Sequence, residues 1–566
     1  MSDLKPWLKN YPEEISATLE YPLDPVQQYL IQAAENYPDK IAIQFMGKEI
    51  TYKKLYEESL VFACYLQDLG ISKDDRVAIM LPNTPQSVIA YYAILMAGGI
   101  VVQTNPLYTE RELEYQMKDS GAVAIITLDI LYPRVSNVQS RTDIKHIIVT
   151  AIKDYLPFPK NLVYPYFQKK QYGIVVNVKH EGNTHLFKEI VKGQPRQLKE
   201  FDFNFEEDLA LLQYTGGTTG FPKGVMLTHK NLVSNASMCQ AWLYKCKPAE
   251  ESVLGILPLF HVYGMTTVLI FAVMQAQKMI LLPKFDVLTT LKTIDKQRPT
   301  LFPGAPTIYI GLLNHPDLKK YNLSSIKACI SGSAPLPVEV QQKFEEVTGG
   351  KLVEGYGLTE SSPVTHSNFL WDRPRVKGSI GVPYPDTDAL ILSMEGEKLP
   401  VGEIGEIAVK GPQVMKGYWN RPEDTAQTLK DGWLLTGDLG YMDDQGYFYV
   451  VDRKKDMIIA GGYNIYPREI EEVLYEHPDV QEAVAAGIPD PYRGETVKAY
   501  VVLKEGSTVT EDELNQFARK YLAAYKAPRI YEFREELPKT AVGKILRRSL
   551  VEEEKKKLEE ERPKHA

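Results

Sequence analysis

Apolar and polar positions over the first 130 residues fall into two alternating rhythms. Residues 40–45 form a short apolar run, read as a strand. Residues 52–69 space Leu55, Leu60, Phe62, Ala63 and Leu66 along one helical face. Residues 76–81, bounded by charge and by Pro82, predict a buried strand; 87–96 predict a helix that ends at Gly98-Gly99. A strand at 100–103, a helix at 110–118 and a strand at 122–127 continue the series. This order, with near-continuous apolar strands, predicts a parallel sheet covered by helices on both faces. Ligands of such sheets sit beyond the carboxyl ends of the strands.

Residues 150–205 break the rhythm: Pro157, Pro159 and Pro165 stand among aromatic residues and lysines, and an irregular excursion is expected. A strand at 209–212 then runs into YTGGTTGFPKG, residues 214–224, with a helix expected from about 230 to 243. Short strands are expected at 253–257, 300–303 and 328–331, the last two ending in the small residues of FPGAP and SGSAPL, which leave room for a ligand. From Ser379, short strands punctuated by Gly402, Gly405 and Gly411 predict a β-rich subdomain to about Val451. The hydrophilic run DRKKD, 452–456, reads as a junction. Beyond it lie an expected helix at 467–476, strands near 483–487 and 499–503, a helix at 511–521 and a charged helix at 545–561 whose Glu/Lys runs should face solvent. The expected class is α/β. A large N-terminal domain (1–451) combines parallel and mixed sheets, covering helices and a β-rich part; a hinge (452–456) leads to a small α+β C-terminal domain (457–566).

Composition sharpens this picture only at its edges. The 566 residues exceed one ordinary core. A net charge of −8 gives no general attraction to nucleic acid, and no nucleic-acid partner is expected. Cys64, Cys239, Cys246 and Cys329 are scattered, without disulfide or zinc spacing, which fits a reducing cytoplasm. The apolar runs 88–102 and 265–276 fall short of the roughly 20 residues of a membrane span. They read as buried helices running into strands, so no transmembrane segment is expected; a peripheral contact with the inner membrane face and oligomer formation stay open.

Candidate chemistry starts at 215–220, where every residue is Gly or Thr. Gly216, Gly217 and Gly220 let the backbone approach a ligand closely, and Thr215, Thr218 and Thr219 add hydroxyl donors. Lys223 adds a point charge suited to phosphate, but it follows Pro222 and precedes Gly224, unlike a Walker A lysine. In EGYGLTE, 354–360, Glu360 follows a Gly-Tyr-Gly turn and is a carboxylate that could serve Mg²⁺ beside a triphosphate. Asp438 in LLTGDLG could accept a pair of hydroxyls; His261 lies among apolar residues in PLFHVYG; Lys544 follows Gly543 in PKTAVGKILRR. Each alone also fits a turn, a solvated surface group or a satisfied core histidine.

Taken together and in this order, from Tyr214 to Arg548, the strings resemble the adenylate-forming superfamily of acyl-CoA synthetases, luciferases and peptide-synthetase adenylation domains. The stretch 431–471 is similar to the signature region of fatty acyl-CoA synthetases of the medium- to long-chain kind. The resemblance implies a phosphate loop at 215–220 backed by Lys223, with Glu360 as the metal-site residue and Thr218 beside the ion. It implies Thr359 near phosphate, Tyr356 between Gly355 and Gly357 against adenine, Ser333 and Ala334 in the adenine pocket, and Asp438 with Arg453 on the ribose. His261 would orient the substrate carboxylate, with Tyr263, Gly264, Gly304 and Ala305 at the acyl pocket. Lys544 would hold carboxylate and phosphate oxygens, Gly461, Gly462 and Tyr463 would line the coenzyme A path, and a mobile small domain would turn about Lys455. The implied activity joins a fatty acid to coenzyme A through an acyl-adenylate, with ATP and coenzyme A as co-substrates and Mg²⁺ as cofactor. Alternatives are loading of a carrier protein, an aryl-CoA ligase, or a non-catalytic nucleotide sensor, which need not keep Lys544.

Overall fold

Six strands hydrogen-bond side by side, all parallel, in the order Leu209–Thr215, Ile100–Gln103, Arg76–Met80, Ala124–Leu128, His146–Thr150 and Thr184–Leu186; the first four were expected from their apolar runs and the last two were not. Antiparallel strands Lys223–Thr228 and Gly417–Tyr418 extend the sheet past Leu209–Thr215. The computed structural model describes residues 5–215, 222–460, 463–490, 492–540 and 543–561. A second sheet runs parallel from Ser252–Gly255 through Lys278–Leu281 to Ile41–Phe45. Single-residue bridges at Leu301 join it to Ala328–Ser331 and Lys351–Gly357, also parallel. Helix Pro85–Met96 is buried on every side, as its all-round apolar sequence requires. The Met265–Ile270 and Phe271–Met274 run is likewise helical and buried apart from Thr267 and Met274.

The β-rich part is antiparallel: Asp388–Leu392, Gly405–Lys410, Trp433–Met442 and Phe448–Arg453 are successive neighbours. A separate sheet of Tyr463–Ile465, Ile458–Ala460, Gly494–Leu503, Val480–Asp490 and Ile530–Phe533 carries its own core, in which Ile470 and Leu474 of helix Pro467–Tyr475 meet Leu514 and Ala518 of helix Glu511–Tyr521.

Four expectations are corrected. The excursion at 150–205 contains helix Lys160–Tyr172, formed despite Pro165, and the edge strand Thr184–Leu186. The chain does not pass from the Gly/Thr loop to a helix: strand Lys223–Thr228 comes first, and helix His229–Trp242 follows. The strand expected at 300–303 is reduced to bridges at Leu301 and Gly304. The last helix, Arg547–Glu561, is not wholly solvated: Leu550 is buried, and buried Glu554 accepts from Lys498 Nζ at 2.8 Å.

Candidate active site

The carboxyl ends of both parallel sheets open on one cleft of about 1810 Å³. Gln103, Gln213 and Thr215 reach it from the first sheet, and Ile330, Gly355 and Tyr356 from the second. The small C-terminal unit closes the far side with Arg468, Thr540, Gly543 and Lys544. The expectation that ligand-facing residues follow strand ends holds for both sheets.

Gly216, Gly217, Thr218, Thr219 and Gly220 lie outside the described residues, but the ends of their loop are fixed. Thr215 and Lys223 are cross-strand partners, Tyr214 donates its hydroxyl to Asp119 at 2.7 Å, and Tyr115 donates to the Pro222 carbonyl at 3.0 Å. The two strands that flank the loop are therefore an antiparallel pair whose facing ends, Thr215 and Lys223, line the cleft. Lys223 Nζ donates to Asp424 Oδ1 at 2.7 Å and lies 5.0 Å from the Tyr418 ring centroid. Tyr418 in turn donates its hydroxyl to Glu360 Oε1 at 2.8 Å, and the 3₁₀ turn Thr359–Ser361 presents both Thr359 and Glu360 to the cleft. The predicted phosphate lysine and the predicted metal carboxylate are thus neighbours, joined through Tyr418. Among the described residues no group of three or more His, Cys, Asp or Glu could hold a metal ion by itself. A single oriented carboxylate suits Mg²⁺, which takes most of its ligands from phosphate and water.

Asp438 is not in a free turn. It lies in strand Trp433–Met442, opposite Arg453, and is buried. Tyr356 donates its hydroxyl to Oδ2 at 2.6 Å, and Arg453 Nε lies 3.3 Å from Oδ1. Each carboxylate oxygen can accept more than one hydrogen bond, so capacity for two hydroxyls remains. Ser333, in a left-handed conformation at φ +71°, and Ala334 follow strand Ala328–Ser331 and line the cleft near Gly355 and Gly357.

His261 caps the helical run that follows it: its Nδ1 accepts from the Tyr263 backbone N–H at 3.3 Å. This leaves Nε2 protonated in the neutral ring and able to donate. Burial, with the Lys544 ammonium nearby, lowers the His261 pKa to about 4, so the ring is neutral near pH 7. Tyr263 also lines the cleft, but its hydroxyl is committed to the Ile330 carbonyl at 2.7 Å. Gly264, Gly304 and Ala305 are not cleft-lining. A Cβ on Gly264 would stand 2.4 Å from the Pro258 carbonyl oxygen, and one on Gly304 2.7 Å from the Tyr309 hydroxyl, so close packing accounts for both. Pro306, Thr307 and Ile310, just beyond Ala305, are the residues that reach the cleft.

Lys544 sits on a tight hairpin turn. Thr540 N–H donates to the Lys544 carbonyl at 2.8 Å, and the Lys544 N–H donates to Thr540 Oγ1 at 3.1 Å. Gly543 takes φ +80°, and a Cβ there would stand 2.3 Å from Thr307 Oγ1, so only glycine lets the turn enter this deeply. Burial, with Arg453 next in size, lowers the Lys544 pKa to about 7; burial and Arg453 likewise lower Lys455 to about 8. Arg468 ties this unit to the large domain, and Arg547 ties it to the junction. Arg468 donates through Nη1 to the Val450 carbonyl at 2.7 Å and through its backbone N–H to Asp452 at 2.8 Å, and its Nη2 lies 3.9 Å from buried Glu354. Arg547 bonds Asp456 at 2.9 Å and Glu471 at 2.8 Å. Tyr463 lies elsewhere: it is exposed, stacked on Tyr525 at 4.6 Å, and does not line the cleft. Gly461 and Gly462 are outside the described residues.

Glu354, Thr307, Tyr418, Asp424 and Arg468 were not legible as site residues. EGYGLTE did contain Glu354, and its Gly-Tyr-Gly, expected as a turn, is instead the end of strand Lys351–Gly357, so a carboxylate within that strand was a usable signal. The others meet only through folding.

Comparison with known proteins agrees along the whole chain. The family described as AMP-binding enzyme matches residues 30–419, and the AMP-binding enzyme C-terminal domain matches 469–544. The chain is 59% identical to a long-chain-fatty-acid–CoA ligase of Bacillus subtilis (strain 168), covering 98% of this chain and 99% of that protein. It is 40% identical to a long-chain-fatty-acid–CoA ligase of Haemophilus influenzae, covering 99% and 100%. Among solved structures, the anthranilate CoA ligase AuaEII in complex with anthranoyl-AMP is 28% identical with a TM-score of 0.84, covering 95% of this chain and 99% of that one. ATP-bound MatB from Rhodopseudomonas palustris is 30% identical with a TM-score of 0.81, covering 94% and 99%. With both family domains present in order and near-full-length relatives at this identity, the chain belongs to the AMP-binding enzyme family.

Proposed function

We propose that the protein is an ATP-dependent ligase that joins a long-chain fatty acid to coenzyme A through an acyl-adenylate. The observation that carries this reading is the entry of Lys544 from the C-terminal unit into a cleft that also holds His261, Asp438, Arg453 and Glu360. The near-full-length relatives named as long-chain-fatty-acid–CoA ligases support the substrate class. In the first step a carboxylate oxygen bonds to the α-phosphorus and the bond to the β-phosphate oxygen breaks, releasing pyrophosphate. The carboxylate is already ionised near neutral pH, so no base is needed. His261, neutral and with Nε2–H, orients it; Lys544 and Lys223 stabilise charge that grows on the phosphate oxygens. Asp438 and Arg453 hold the ribose, and Tyr356, Ser333 and Ala334 hold the base. Mg²⁺ at Glu360 would neutralise phosphate charge. In the second step the coenzyme A thiol gives up its proton to solvent, its sulfur bonds to the acyl carbon, the acyl carbon–oxygen bond breaks and AMP leaves. We assign residues 1–451 and 457–566 to two domains that turn about Lys455, with Tyr463, Gly461 and Gly462 turned inward only for that step. An exposed Tyr463 outside the cleft, with Lys544 inserted into it, fits the adenylating arrangement. The absence of a helix long and apolar enough to cross a membrane among the described residues fits a cytoplasmic enzyme.

A turnover panel of carboxylates from acetate to oleate, with ATP and coenzyme A, tests the substrate class. Each buried methylene adds about 0.8 kcal/mol, roughly fourfold in binding. Rising kcat/KM up to long chains is expected; a maximum at acetate or benzoate would overturn it. A carrier-loading enzyme would leave free coenzyme A unreacted.

Two smaller effects are expected here. Glu360→Gln should slow adenylation most at limiting Mg²⁺, since an amide serves the ion less well than a carboxylate. An unchanged Mg²⁺ titration would remove Glu360 from the metal site. The depressed Lys544 pKa has a sign: its charged form is lost as pH rises through about 7, so kcat/KM for adenylation should fall above that pH. Bound phosphates favour the ammonium and move the limb of kcat to higher pH. Lys544→Arg, always charged, should lack this limb in whatever rate it retains.

A further inference from the structure

Helix Lys160–Tyr172 is inverted with respect to water. Its inward side carries Gln168, which is buried and donates to Asp129 Oδ2 at 3.2 Å, and Tyr164, which packs on the core. Its outward side carries Leu162 at 68% exposure, Val163 at 48%, Tyr166 at 69% and Phe167 at 56%, and Phe158 just before it is at 79%. The helical positions are spaced i, i+1, i+4 and i+5, so they share one face. Ile174 and Val175 beyond the helix are exposed as well. Contiguous apolar surface of this kind on a folded protein marks a binding face. Its charge says what it binds. From 153 to 179 the chain has five lysines and one acid, Asp154, a net +4 within a protein of net −8. Lys170 falls on the apolar face itself, and exposed Lys160 and Lys169 flank it. Aromatic and aliphatic side chains ringed by long cationic ones are the composition of a helix that lies in the interface of an anionic bilayer.

We propose that Lys160–Tyr172, with Phe158, is a docking surface for an anionic lipid bilayer: Leu162, Tyr166 and Phe167 enter the acyl boundary while Lys160, Lys169 and Lys170 meet the headgroup phosphates. In a symmetric contact with a second copy this basic face would meet itself, whereas anionic headgroups complement its charge. The surface is distinct from the cleft, since none of these residues lines it.

The test is co-sedimentation of the full-length protein with phosphatidylcholine vesicles that contain or lack phosphatidylglycerol. Binding to the anionic vesicles, lost in high salt and weak on neutral ones, is expected. Replacing Lys160, Lys169 and Lys170 by Gln should lower the partition coefficient on the order of a hundredfold. Phe158→Ser, Leu162→Ser, Tyr166→Ser and Phe167→Ser together should abolish binding, while turnover of the water-soluble acid octanoate stays at the wild-type value and reports folding. Wild-type protein that ignores anionic vesicles, variants that bind as well as wild type, or a concentration-dependent dimer abolished by the same four changes would each overturn the proposal. Vesicle binding is read without turnover, so its failure and a failure of the ligase reading are separate results.

Discussion

Replacing Lys544 with Ala is expected to cut adenylation by about 10²–10³ while leaving thioester formation from supplied acyl-adenylate near its normal rate. The first magnitude is typical for removing one preorganised stabiliser of transition-state charge. The asymmetry comes from geometry. Lys544 enters the cleft only because the 540–544 turn passes Thr307 at Gly543, and Arg468 and Arg547 tie its domain to Val450, Asp452 and Asp456. If the domain turns about Lys455 to present Tyr463, as proposed, it withdraws this turn, and the second half-reaction then has no use for the ammonium. Pyrophosphate exchange reads the first step, and thioester production from synthetic adenylate reads the second. Equal loss of both in a folded variant would make the small domain a fixed lid.

Asp438→Ala is expected to raise the ATP KM by roughly tenfold to over a hundredfold, the range of a lost hydrogen bond to a charged group of about 1.5–3 kcal/mol. It should also erase the preference for ATP over its 2′-deoxy form. The structure adds a second consequence. The Tyr356 hydroxyl and the Arg453 guanidinium both rely on this carboxylate, so its loss leaves two polar groups at the cleft without their acceptor. Asp438→Asn keeps an acceptor for Tyr356 and should sit between wild type and Ala. A variant that discriminates fully against the deoxynucleotide would show that the ribose is held elsewhere.

The parallel architecture could be read ahead of the structure because each buried strand wrote an unbroken apolar run: residues 100–103 and 76–81 need no tertiary context to be recognised. The helix at Lys160–Tyr172 was hidden for a physical reason. Pro165 removes an internal hydrogen bond, and the apolar face points outward, so the usual pairing of periodicity with burial fails. The strand after the Gly/Thr loop had a signal: in KGVMLT, buried Gly224, Val225, Leu227 and Thr228 fit a half-buried strand better than a helix entry. Asp438, Glu360, His261 and Lys544 were legible because each sits in a distinctive short string. Asp424 and Arg468 were not, since Lys223 meets Asp424 across 201 positions and Arg468 meets Glu354 from the distant helix Pro467–Tyr475. Local strings expose groups whose neighbours are local; ion pairs between distant segments have no such imprint.

The most direct measurement of the central claim follows oxygen. Palmitate carrying ¹⁸O in both carboxylate positions is turned over with ATP and coenzyme A, and the products are weighed by mass spectrometry. Attack of the carboxylate on the α-phosphate followed by cleavage of the acyl carbon–oxygen bond predicts one ¹⁸O in AMP, one in the thioester and none in pyrophosphate. Unlabelled AMP, or ADP formed with label in inorganic phosphate, would contradict the acyl-adenylate route.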